Sequence, residues 1–140
     1  MLQSLAWVTV LVHRYDDGLV FFRDVLDFAV LEDAPLSPNK RWVVVAPSLG
    51  AGATLVLAVP SDERQRARVG DQTGGRVGFF LHSEDFWTDY EELLGRGVSF
   101  LETPRREAYG LVAVFVDPWG GKWDLLQPAS TPASGAAEIL

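Results

Sequence analysis

The sequence predicts an α+β fold: two tandem βαβββ modules whose strands form a curved mixed sheet around a cup. Three observations carry this. The 140 residues suffice for one domain with a core but not for two independent folds. Segments with strand and helix patterning recur in the order strand, helix, strand, strand, strand on either side of one polar, Gly-rich connector, Ser61–Gly75. The halves also overlay at a nearly constant offset. Val30-Leu31-Glu32 answers Phe100-Leu101-Glu102, Thr54-Leu55 answers Asp124-Leu125, and Pro47 answers Pro118. Residues 1–128 thus read as one domain of two repeats, about 5–60 and 75–128, with a linker over 61–74. Helices covering one face of each repeat leave the other faces to meet and enclose the cup.

The first strand is Leu5–Val12, an apolar run rich in β-branched residues. Asp16-Asp17-Gly18 supplies an acidic helix start, and Leu19, Phe22, Val25 and Leu26 follow on one stripe. A strand near Ala29–Glu32 comes next, then a loop with Pro35, Ser37, Pro38 and Asn39. Arg41–Ala46 and Thr54–Val59 are strands separated by the Gly-rich turn Leu49–Gly52. In the second repeat Arg76–His82 is a strand, and Ser83 or Asp85 caps a helix carrying Phe86, Tyr90, Leu93 and Leu94. Gly95 and Gly97 end it. Val98–Leu101, Gly110–Val116 and Lys122–Gln127 complete the set, and an Ala/Ser/Pro-rich tail over 129–140 is expected to fray.

Composition excludes several function classes. Hydrophobic residues at 48 % and charged residues at 22 % rule out wholesale disorder. The absence of cysteine removes disulfides, thiolate metal sites and cysteine nucleophiles together. With His13 and His82 the sole histidines, an all-histidine metal site is excluded as well. A formal charge of −7 argues against nucleic acid and anionic membranes and favours cationic or neutral ligands. The apolar run Leu5–Val12 is too short to span a bilayer and no basic residues precede it, so a cytoplasmic protein is expected.

The segment Gly110–Pro128, GLVAVFVDPWGGKWDLLQP, resembles the closing hairpin of the glyoxalase/bleomycin-resistance/dioxygenase (vicinal oxygen chelate) superfamily. DDGLVFFRDVLDF resembles that group's opening helix, with Asp27 where a glycine usually stands, and Asp tolerates the left-handed conformation. The resemblance covers about residues 5–128 and implies the fold far better than the activity. It places the metal ligands of metal-dependent members at Trp7, Thr54, Gly78 and Asp124, among which Asp124 alone is an ordinary ligand type. Metal catalysis needs about three protein ligands, so the inherited metal site is expected to be lost and no cofactor is expected. His82 would stand roughly 13 Å from the Gly78 level at ~3.3 Å per residue, an awkward chelating partner for Asp124.

Alternation aligned to those positions directs Trp7, Thr9, Leu11, Trp42, Val44, Thr54 and Val56 from the first repeat into the cup. Phe80, His82, Ala113, Phe115, Asp124 and Leu126 follow from the second. Tyr109, with Arg105 and Arg106, sits on a rim loop. Three functions compete. The first is a metal-free binder of a small aromatic or cationic molecule through Trp7, Thr9, Trp42, Thr54, Val56, Phe80, His82, Tyr109, Phe115, Asp124 and Leu126. The second is a divalent-metal lyase or extradiol-type dioxygenase, or a metal-free enzyme with Asp124 or His82 as base. The third is an interaction module whose aromatics fill a solid core. Trp87 and Trp119 hint at a homodimer, as the resemblance implies.

Overall fold

The computed structural model describes residues 1–47 and 52–129. The turn expected at Leu49–Gly52, Gly52 apart, and the tail expected beyond 129 lie outside the described residues. The chain divides into two compact units, Met1–Gly70 and Asp71–Leu140. The described strands pair into two mixed sheets, one in each unit.

In the first unit β1 (Trp7–Leu11) runs parallel to β4 (Thr54–Ala58), which is antiparallel to β3 (Lys40–Pro47), itself antiparallel to β2 (Phe28–Ser37). One face of this sheet buries Val10, Val43, Val45 and Leu57 together with Leu19 and Phe22 of the helix. That helix starts as α1 (Tyr15–Leu19), with Asp16 and Asp17 in its first turn as expected, and continues as a π-helical turn over Val20–Val25. The wider turn brings Phe21 into the buried set beside Phe22, so the apolar stripe is broader than a regular helical period predicts. Gly18 lets the helix approach the sheet closely: a Cβ there would lie 2.8 Å from Leu57 Cδ1, and the Leu57 side chain would have to shift. Asp27 ends the helical segment at φ 60°, the left-handed role anticipated for it.

The loop predicted around Pro35 is instead strand. β2 continues to Ser37, and only Pro38 and Asn39 form the turn into β3. Proline is tolerated there because β2 is an edge strand, and the register shifts by one residue between Pro35 and Ser37. The connector is not wholly irregular either. A short helix, α2 (Glu63–Arg66), is capped by Asp62, whose carboxylate accepts from Gln65 N at 2.8 Å.

In the second unit β5 (Val77–His82) runs parallel to β9 (Lys122–Pro128), and β8 (Gly110–Val116) is antiparallel to β9. β6 (Ser99–Phe100) and the short β7 (Arg105–Glu107), a strand within the expected rim loop, both pair with β8. α3 (Phe86–Gly95) is capped by Asp85, and Ser83 Oγ accepts from Asp85 N at 3.1 Å, so both candidate caps take part. The helix closes with Gly97 at φ 86°, bonds from Gly97 N to Leu94 O and from Val98 N to Leu93 O, and buried Leu93 and Val98. Of the apolar residues the helix carries, Phe86 and Leu93 are buried and Leu94 is exposed.

A sheet face in each unit

In a sheet, residues directly opposite on neighbouring strands share a face, so register decides which candidates stand together. On the first sheet Trp7 pairs with Thr54, Thr9 with Val56, and Val56 with Val44. Trp42, two residues before Val44, lies on that same face, its ring 5.5 Å edge-to-face from Trp7. The expected inward set of this repeat is therefore one continuous face. Trp7, on the edge strand β1, is 52 % exposed. The Trp42 indole is fixed, its Nε1 donating to Glu32 Oε2 at 2.9 Å. Thr54 is less available than expected, since its Oγ1 donates to Ala6 O at 2.9 Å.

On the second sheet Asp124 pairs with Phe80 on one side and Val114 on the other, while Leu126 pairs with His82 and Val112. This overturns two expectations. Phe115 and Ala113 oppose Trp123 and Leu125, so they lie on the helix side. Phe115 is fully buried there, stacked 5.9 Å from Trp123 and tilted against Phe100 at 5.6 Å, and cannot line the site. The error is one of parity. Matching Pro47 to Pro118 sets an odd offset of 71 between β3 and β8, whereas the pairs Val44–Val56 and Val112–Leu126 make it 68. An odd shift turns every side chain of a strand to the other face.

Gly78 is the second correction. The register between β5 and β9 slips between Val77 and Phe79, placing Gly78 in a bulge, and Phe80 becomes the counterpart of Trp7. His82 is thus two residues, not four, from the Asp124 level, and it is exposed. Leu126 is on the expected face but only 2 % exposed. Tyr109 is half-buried beside the Arg105 guanidinium. His13 is exposed in the turn after β1.

Asp124 is the chemical anomaly of the second sheet. The residue is 7 % exposed, and its Oδ1 is shielded from water without a hydrogen-bond partner. Burial raises its carboxyl pKa above the ordinary value; Arg105 draws it back and Glu102 adds to the rise. Arg105 itself is held by carboxylates, donating from Nε to Glu102 Oε2 at 3.0 Å and from Nη1 to Glu107 Oε1 at 2.6 Å. Glu102 also accepts from Val114 N at 3.2 Å. Sequence reasoning passed over Glu32 and Glu102. Their signal was the repeat itself, which sets a glutamate at the same place in both halves, next to the site face each time.

The positions answering to the family's metal ligands are thus two cross-strand pairs, Trp7–Thr54 and Phe80–Asp124. They offer one carboxylate, one hydroxyl already bonded to backbone, and two rings without a lone pair for a metal. Among the described residues no three His, Asp or Glu side chains stand together to hold a metal ion. Neither pair offers the donors that a catalytic metal needs.

Comparison with known proteins agrees with the architecture. A family model for the glyoxalase/bleomycin resistance protein/dioxygenase superfamily matches residues 4–125. An uncharacterized protein of Shewanella frigidimarina (strain NCIMB 400) is 41% identical over 128 residues, covering 91% of this chain and 95% of that protein. Among solved structures, UcmS2 matches with a TM-score of 0.76 at 31% identity, over 90% of this chain and 98% of that one. TnmS3, an antibiotic binding protein from Streptomyces sp. CB03234, matches with a TM-score of 0.73 at 28% identity, over 91% and 98%. In sequence and in fold, the chain belongs to the glyoxalase/bleomycin resistance protein/dioxygenase superfamily.

Proposed function

We propose that this protein binds a small, flat aromatic or cationic molecule and does so without a catalytic metal. The observation that carries the reading is the tryptophan pair on the first sheet. Trp7 stands half in solvent against Trp42, and Trp42 is clamped by Glu32, so a rigid aromatic wall is presented instead of being packed away. Such walls bind planar rings by stacking and cations through the ring face. The Glu32 carboxylate at the wall's edge adds attraction for positive charge. The antibiotic-binding description of TnmS3 supports the same reading, and the donor set at the family's ligand positions argues against a lyase or dioxygenase.

The reading takes the protein to be cytoplasmic and homodimeric. Among the described residues no helix is long and apolar enough to cross a membrane. Exposed Trp87 and Leu94 on α3 are apolar surface of the kind subunits bury. Calorimetric titration with a panel of polycyclic aromatic antibiotics and metabolites tests the function. Stoichiometric binding that is lost in Trp7→Ala and Trp42→Ala is expected. Binding by none of the panel, or stoichiometric Ni, Zn, Mn or Fe in protein purified without chelators, overturns it.

A further inference from the structure

The strongest unexplained feature is the carboxylate in the second unit. Asp124 is almost fully buried, yet its Oδ1 receives no hydrogen bond from the fold. Its row neighbours, Phe80 and Val114, have no side-chain donor. In the next row Leu126 and Val112 are apolar, and His82 is exposed and makes no hydrogen bond to the carboxylate. The nearby guanidinium of Arg105 is engaged by Glu102 and Glu107. A buried acceptor left unmade costs free energy that folding alone does not recover. Phe80, directly beside Asp124 on the neighbouring strand, is 43 % exposed. Lys122 lies two residues back on the same strand face, so Asp124, Glu102, Glu107, Arg105 and Lys122 together sum to one negative charge.

We propose that Phe80 and Asp124 form a subsite for an aromatic amidine or amine, the ring lying on Phe80 and an N–H donating to Asp124 Oδ1. The subsite deepens the small-molecule reading above and rests on it. It selects positive, donor-bearing rings, because a cation both satisfies the orphaned acceptor and meets the local charge. Turning of Phe80 opens the way to an oxygen that is otherwise covered. Anionic rings of the same shape are rejected, since they bring a second acceptor against a buried carboxylate.

The test is titration of the 15N-labelled full chain with benzamidine and, separately, benzoate, followed by NMR. Benzamidine is expected to shift the amides of Phe80, Asp124 and Leu126, with at least tenfold weaker affinity in Asp124→Asn and several-fold weaker affinity in Phe80→Ala. Benzoate is expected to shift none of them. Equal benzamidine affinity in Asp124→Asn, or benzoate binding as strongly as benzamidine, overturns the subsite. Should Asp124→Asn not fold, Phe80→Ala decides by the same criterion. If benzamidine leaves these amides unmoved while a polycyclic aromatic quenches tryptophan fluorescence in a Trp42-dependent way, the subsite falls and the broader reading stands.

Discussion

Replacing Asp124 with Asn should make the protein more stable at neutral pH. The carboxylate is 7 % exposed and its Oδ1 is unpartnered, and burial holds its pKa above the ordinary value. A group whose pKa is raised on folding contributes most below its unfolded value, near 3.8, and that contribution is lost as pH climbs through the raised folded value. The cost of the charged form is therefore small near pH 4 and full at pH 7. An unsatisfied buried polar group costs about 1–3 kcal/mol, and more when charged. Asn keeps the shape and removes the charge but leaves one polar atom unpaired, so the expected gain is at the lower end, about 1 kcal/mol at pH 7. For a chain of this size that is a rise in Tm of about 3–5 °C. Urea unfolding of both proteins at pH 7 and pH 4 measures it, with the gap closing at the lower pH. An Asn variant that is less stable at pH 7, or a gap that is the same at both values, would refute the reasoning. Either result would mean that the carboxylate already has a partner.

Further outcomes follow from individual contacts. Gly110→Ala should destabilise by more than about 3 kcal/mol or prevent folding, because its Cβ would meet Gln127 O at 2.1 Å with φ at 144°; urea unfolding reads this. Asp117→Ala removes the acceptor for Trp119 N, Gly121 N and Trp123 Nε1 and should cost about 2–4 kcal/mol, measured the same way. Glu32→Gln should weaken a cationic aromatic ligand more than a neutral one while leaving Tm within about 1 °C, since the Trp42 bond survives and only exposed charge is lost. Calorimetry with a matched pair of ligands separates the two effects.

The architecture was legible in the sequence because it is written twice. Strand periodicity, Asp85 at the start of α3 and Gly97 at its end each carry a local physical signal, and the overlay of the halves tied them into one pattern. The face of the first sheet was legible for the same reason: Trp7, Thr9, Thr54 and Val56 are joined by two strands in simple parallel register. What failed in the second sheet depended on small shifts of register. The bulge at Gly78 moves the Asp124 level two residues along β5 to Phe80, the three-residue difference carried through Pro118 turns β8 over, and no composition or hydropathy signal records slips of that size. Phe115 is as apolar as Phe80, so only register tells core from site. The informative position was instead the one whose chemistry conflicts with its surroundings. Asp124 sits among Val112, Val114 and Leu126 in a strand otherwise suited to burial, and its Oδ1 receives no hydrogen bond there. A carboxylate buried against stability is thus singled out by its chemistry, where hydropathy and periodicity are silent.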